Sequence, residues 1–164
     1  MRYTLDLSRI PLTEYEPLLA SQNLLPGRRI LLDGLNRNFA ALSAERIETL
    51  LQLKQRLSAP PKLAALAAAT GISEEYLTIL KREIGSLEQK PVPLSAFPGL
   101  DEASLASLRE WGIVTSKDGF ERGEANGELF CLCDLARING VGAVAARAFY
   151  EAGYRSVAQV AAAN

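Results

Sequence analysis

The stretch from Asp134 to Gly153, DLARINGVGAVAARAFYEAG, limits the possible folds more than any other part of this chain. Its centre, Ile138-Asn139-Gly140-Val141-Gly142, sets two glycines around one apolar residue. Glycine takes φ > 0 without a steric penalty and lets two backbones approach closely. Ala145, Ala148, Phe149 and Ala152 follow at helical spacing, and Gly153 stands where a helix-stopping glycine is expected. Leu132, Leu135, Ala136 and Ile138 form the apolar side of a preceding helix. The spacing predicts a helix, a tight hairpin and a second helix.

The pattern recurs along the chain. Gly34-Leu35 matches Gly99-Leu100, and Phe39, Leu42, Ile47 and Thr49 match Leu105, Leu108, Ile113 and Thr115. Leu63, Leu66, Ala67, Gly71 and Ile72 match Leu132, Leu135, Ala136, Gly140 and Val141. Residues 31–87 therefore recur loosely across 96–157, with four apolar-Gly-apolar hairpins at Gly34, Gly71, Gly99 and Gly140. Helix starts are marked by three capping boxes, Thr13 with Glu16, Thr49 with Gln52 and Ser156 with Gln159. Ser73, Asp101 and Thr115 are further N-caps, and Pro26-Gly27 and Pro60-Pro61 interrupt helices.

The prediction is an all-α fold of about nine to eleven short helices. Residues 1–25 form a lead-in and helix, 26–90 a first repeat and 91–164 a second, with Lys90-Pro91-Val92-Pro93 as linker. Alternating Tyr3, Leu5 and Leu7 predict a short extended piece, and residues 121–128 a loop. Val157–Asn164 echoes Leu63–Thr70, as though a further repeat were starting where the chain ends.

At 48% apolar residues the chain can build a core, and its net charge of −1 supplies no bulk field for tight non-specific nucleic-acid binding. Charge is uneven: residues 1–90 hold 12 Lys/Arg against 10 Asp/Glu, and residues 91–164 hold 6 against 9. The chain has no histidine, which removes Ser-His-Asp and Cys-His catalysis and any His-ligated metal. Two cysteines, Cys131 and Cys133, make no disulfide framework, and a cytoplasmic location fits. As C-x-C on a helix they point apart, so buried small residues are expected there rather than a metal site. No signal peptide or long apolar run is visible, and no membrane association is expected.

The residues Leu135, Ile138, Gly140, Val141, Gly142, Ala145 and Gly153 carry a pattern, LxRIxGVG…AxxFxxAGxxSVxxVA. It resembles uncharacterised bacterial proteins built from tandem helix-hairpin-helix repeats, described as domains of unknown function with DNA binding as the suggested role. The likeness is specific over 129–163, looser over 31–115, and does not cover 1–25. It implies helix-hairpin-helix units whose hairpin amides meet a phosphate. DNA-binding members often carry Lys or Arg just after the second glycine, where this chain has Ala143 and Val144. The other hairpins replace the second glycine by Asn36, Ser73 and Asp101.

The candidate nucleic-acid-binding residues are Gly140, Val141, Gly142 and Ala143, with Gly34, Gly71 and Gly99 at the sister hairpins. Arg137 and Arg147 would supply charge, joined by Arg37 in a basic region that includes Arg28, Arg29, Arg46, Lys54, Arg56 and Lys62. A helix N-terminus presents amides and partial positive charge to an anion. The same glycines also serve a bare interhelical turn, and the basic region, interleaved with Asp33, Glu45 and Glu48, also reads as a solvated face. Gly140-x-Gly142-x-x-Ala145 matches a dinucleotide fingerprint, but the segment before it is helical and the acidic residue needed about 20 positions later is missing. Trp111 follows Leu108 by one helical step and is expected in the core.

The partner expected first is a DNA or RNA backbone, bound without catalysis, cofactor or metal. The rival is a protein partner or a second copy, met by an alanine-rich helical face.

Overall fold

The computed structural model describes residues 2–123 and 127–163. The chain divides into two compact units, Asp6–Leu87 and a second built from Met1–Leu5 with Glu88–Asn164. The protein is all-α. The N-terminal unit holds a 3-10 turn at Leu7–Arg9, α1 (Leu12–Ser21), a 3-10 helix at Pro26–Leu32, α2 (Leu35–Ala44), α3 (Leu50–Arg56), α4 (Pro60–Thr70) and α5 (Glu74–Gly85). The C-terminal unit holds a 3-10 turn at Leu94–Ala96, then α6 (Glu102–Glu110), α7 (Ser116–Arg122), α8 (Glu128–Leu135), α9 (Ala143–Glu151) and α10 (Val157–Ala162). Among the described residues no helix is long and apolar enough to cross a membrane.

Helices of 6 to 12 residues do not persist alone in water, so packing holds them. In the N-terminal unit Leu19, Leu31, Leu42, Leu50, Leu57, Leu66 and Leu77 are fully buried in one core. Each contributes about 1.5–3 kcal/mol relative to exposure. In the C-terminal unit Leu132, Cys133, Leu135, Ala136 and Ala146 are fully buried. Tyr3 completes that core. Its ring meets Phe120 edge-on at 5.9 Å, and its hydroxyl shares a 2.8 Å hydrogen bond with Ser116 Oγ.

One joint is built three times. A helix ends on a residue in the left-handed region: Arg46 (φ 60°), Gly112 (φ 73°) or Gly153 (φ 102°). A hydroxyl residue three positions later caps the next helix: Thr49 for α3, Thr115 for α7 and Ser156 for α10. The Thr49 box is reciprocal with Gln52 and the Thr115 box with Asp118. Burial alone would raise the Asp118 pKa, but hydrogen bonds from the Val114 and Thr115 amides and the Thr115 hydroxyl bring it below the ordinary value. The first helical amide at each joint then needs a partner. Leu50 N donates to Ile10 O at 2.9 Å and Ser116 N to Val92 O at 2.7 Å. Val157 N donates instead to the Asp134 carboxylate at 3.1 Å.

These contacts correct several expectations. Thr13 caps nothing: α1 starts one residue earlier, with Pro11 at its N-cap. The alternation at Tyr3, Leu5 and Leu7 gives no strand; Tyr3 and Leu7 are buried in different units and Leu5 is exposed. Val92 and Pro93 are not slack linker, because Val92 N donates to Ser116 Oγ at 2.8 Å and Pro93 pairs with Thr115. Of the loop expected over 121–128, Glu121 and Arg122 finish α7 and Glu128 opens α8, while residues 124–126 lie outside the described residues. The cap and left-handed residue before α10 align it with α3 and α7, not with α4 as the alanine-rich echo had it.

Trp111 is 70% exposed, not in the core. It is the C-cap of α6, where the chain turns away into Gly112, so helical periodicity no longer fixes its direction. The emission of this single tryptophan is expected to be that of a water-bathed indole and to move little when the protein unfolds in denaturant. A blue-shifted emission that moves red on unfolding would place the ring inside.

Candidate nucleic-acid interface

All four hairpin glycines take positive φ: Gly34 at 62°, Gly71 at 73°, Gly99 at 88° and Gly140 at 81°. The next residue plugs inward in each case, with Leu35, Ile72 and Val141 buried and Leu100 half-buried. The hairpins differ at the following position. Ser73 Oγ accepts from Tyr76 N at 3.1 Å, and Asp101 accepts from Ser104 N at 2.6 Å. The Ser104 hydrogen bonds hold the Asp101 carboxyl below its ordinary pKa. These two helices thus cap their own amides, and a carboxylate at Asp101 repels an anion.

The helices α9 and α2 are not capped by a side chain. At α9 the N-cap is Gly142, and a Cβ placed on Gly140 or Gly142 would meet nothing within 4 Å. The Val141 amide is spent inside the hairpin, on Ile138 O at 2.9 Å; Gly142 is exposed, while the Ala143 side chain is buried in the core, so this hairpin can offer a ligand only backbone amides there. Val144, on that turn, is 70% exposed.

The arginines of this stretch, Arg137, Arg147 and Arg155, are held elsewhere. Arg137 donates to Asp134 Oδ1 at 2.6 Å and Tyr3 O at 3.0 Å, and lies over the Phe120 ring at 4.4 Å. Arg147 donates to Pro98 O at 2.6 Å, pairs with Glu128, and presses against Gly99, where a Cβ would fall 2.7 Å from its Nη2. Arg155 donates to Tyr150 O at 2.6 Å and covers the Tyr150 ring at 4.1 Å. All three act as struts of the C-terminal unit, so the hairpin with the best glycine pattern has no cation of its own among them.

At α2 the N-cap is Gly34, which has no side chain to cap with. Asn36 and Arg37 are exposed on its first turn. The Arg37 guanidinium folds back over the hairpin, with Nη2 3.3 Å from where a Gly34 Cβ would lie. Among the described residues it has no ion pair, although Asp33 precedes the glycine. Ala20, Leu32, Gly34, Leu35, Asn36 and Arg37 border an open depression of 590 Å³. The signal for this hairpin was in the sequence: Arg37 follows Asn36, the second-glycine position, where DNA-binding members carry their basic residue. The glycine pattern drew attention to Gly140 instead.

The rest of the basic region divides. Arg28 pairs at 2.6 Å with the buried Glu83 and bonds Ser86 Oγ at 3.1 Å, pinning the Pro26–Leu32 helix to α5. Arg46, Arg56 and Lys62 line a separate cleft with Ile47, Gln52, Gln55 and Ala65. Cys131 and Cys133 are buried, and desolvation pushes the Cys133 thiol up to about 12.

A family model for SAM-like helix-hairpin-helix tandems matches residues 134–164. No significant match was found among curated proteins or solved structures. From Asp134 onward the chain therefore carries a helix-hairpin-helix module, by its sequence and by the geometry of its Gly140 hairpin alike.

Proposed function

We propose that this protein is a non-catalytic helix-hairpin-helix module that binds nucleic-acid backbones with low sequence specificity, with the Gly34 hairpin as its leading contact. One observation carries this reading: the N-terminus of α2, without a side-chain cap, and Arg37, which has no ion pair among the described residues, stand together at one exposed edge. Helix amides and a guanidinium are the groups that hold a phosphate. The Gly140 hairpin adds the amides of Gly142 and Ala143. Such contacts position a protein without reading bases. Because the chain is near neutral and few cations stand at the hairpins, binding should be modest and should weaken as salt rises.

Titration of a labelled DNA duplex and single strand at low and moderate salt tests this. The expected result is binding at low salt that weakens as salt rises. Arg37→Gln should weaken it about 3–10-fold, and Gly142→Asp should also weaken it, both with helix content unchanged. No binding at low salt would sink the reading.

A second reading, a protein partner or a second copy, is favoured by exposed apolar residues in the C-terminal unit: Trp111 and Val144 at 70% and Val114 at 47%. Sedimentation at rising concentration distinguishes it, because self-association through these residues would be lost in Trp111→Ser.

A further inference from the structure

We propose that the cleft at α3 and α4 is a second phosphate seat for the nucleic-acid backbone, held by Arg46, Arg56 and Lys62; this rests on the nucleic-acid reading above. The cleft encloses 460 Å³, and its lining carries three cations and no carboxylate. The Glu45 carboxylate pairs with Arg56 at 3.6 Å, in a half-exposed pair that water screens. Among the described residues Arg46 and Lys62 have no ion pair. The Gln55 carboxamide adds a neutral donor at the wall, while Gln52 is engaged in the α3 capping box.

Arg46 is also the one non-glycine with positive φ among the described residues. The same joint uses Gly112 and Gly153 in its other two copies, and glycine is the residue that this conformation suits. At Arg46 the strain accompanies a guanidinium at the edge of a cationic cleft. Strained backbone kept against an available glycine solution marks functional positions.

The internal repeat supplies the control. Aligned through the paired joints, Arg46, Gln52 and Gln55 correspond to Gly112, Asp118 and Glu121. Arg56 corresponds to Arg122, whose guanidinium is spent on Trp111 O at 2.6 Å and Gly112 O at 3.3 Å. Of the cations compared, the C-terminal unit thus replaces Arg46 by Gly112 and keeps Arg56 as Arg122, while acidic Asp118 and Glu121 stand where the N-terminal unit has Gln52 and Gln55. The joint therefore forms without a cation at the Arg46 position, and a guanidinium there, beside Arg56 and Lys62, suits an anion.

The test is anisotropy of a labelled DNA duplex with the full chain across a salt series, read beside thermal melting. Arg46→Gly should weaken binding about 3–10-fold and flatten the salt slope by about 1, while the melting temperature rises as the strain is relieved. Lys62→Gln, at an exposed position, should weaken binding similarly and leave melting unchanged. If both variants bind as the wild type does while Arg37→Gln weakens binding, the cleft is no seat and the hairpin reading stands. If Arg46→Gly lowers affinity and melting temperature together and Lys62→Gln is silent, Arg46 is structural and the proposal fails. Absence of binding by the wild type overturns both readings.

Discussion

Asp134→Ala is expected to cost about 3 kcal/mol of stability, the scale for breaking a buried ion pair and orphaning its partners. The residue is 6% exposed. One carboxylate oxygen accepts from Arg137 at 2.6 Å, and the other accepts from Val157 N at 3.1 Å. Alanine would leave the Arg137 guanidinium half-buried over Phe120 without its counter-charge, and would free the first amide of α10. For a unit of about 80 residues, the size of the C-terminal one, the loss corresponds to about 12–24 °C in melting temperature, read by circular dichroism. Asp134→Asn should lose roughly half as much, since an amide oxygen still accepts from Val157 but carries no charge for Arg137. A loss for alanine no larger than the roughly 0.5 kcal/mol of a surface change would show that this carboxylate holds nothing.

Asp134 also marks where the sequence stops being readable. Its type and position fit a surface or capping group, and it does cap, but for a helix 23 residues further along. Features whose cause is local were legible: the glycines forced into positive φ, the Thr49–Gln52 box, the caps at Ser73 and Asp101, and the helical all-α pattern. Each rests on residues a few positions apart, so the chain itself fixes the geometry. The arginines show the opposite case. Arg137 and Arg147 lie beside the Gly140 hairpin in sequence, yet fold inward onto Tyr3 O and Pro98 O, backbone groups that no spacing rule brings near. Arg37, a candidate within the basic run, is left facing the Gly34 hairpin. Which cation is free depends on which carbonyls and carboxylates the tertiary fold delivers, and periodicity carries no information about that. Trp111 failed for a related reason: a helical step from Leu108 points inward only while the helix continues, and α6 ends at Glu110.

Gly119→Ala carries the second large expected effect, about 1–3 kcal/mol of destabilisation from overpacking. Gly119 lies within α7, where alanine is ordinarily the better helix former. Here a Cβ would fall 2.6 Å from Cys133 Sγ and 3.5 Å from Leu129 Cγ, so α7 and α8 would have to separate. The sulfur has little room to yield, because Cys133 is fully buried. The contact identifies its own rescue: Cys133→Ala alone should cost stability by leaving a small void, and Gly119→Ala in that background should cost much less than in the wild type. Urea unfolding of the four proteins of this cycle gives the coupling directly, and additive effects would exclude the clash. The repeat alignment places Leu53 and Ala64 of the other unit at these two positions, so the large and small partners are exchanged between the copies. Leu53 is fully buried in its unit. Gly119→Leu without a change at Cys133 should therefore be tolerated worst of all, although leucine is the residue the sister unit uses. The two units thus share the backbone of this joint but differ in how they pack it and in the charge around it.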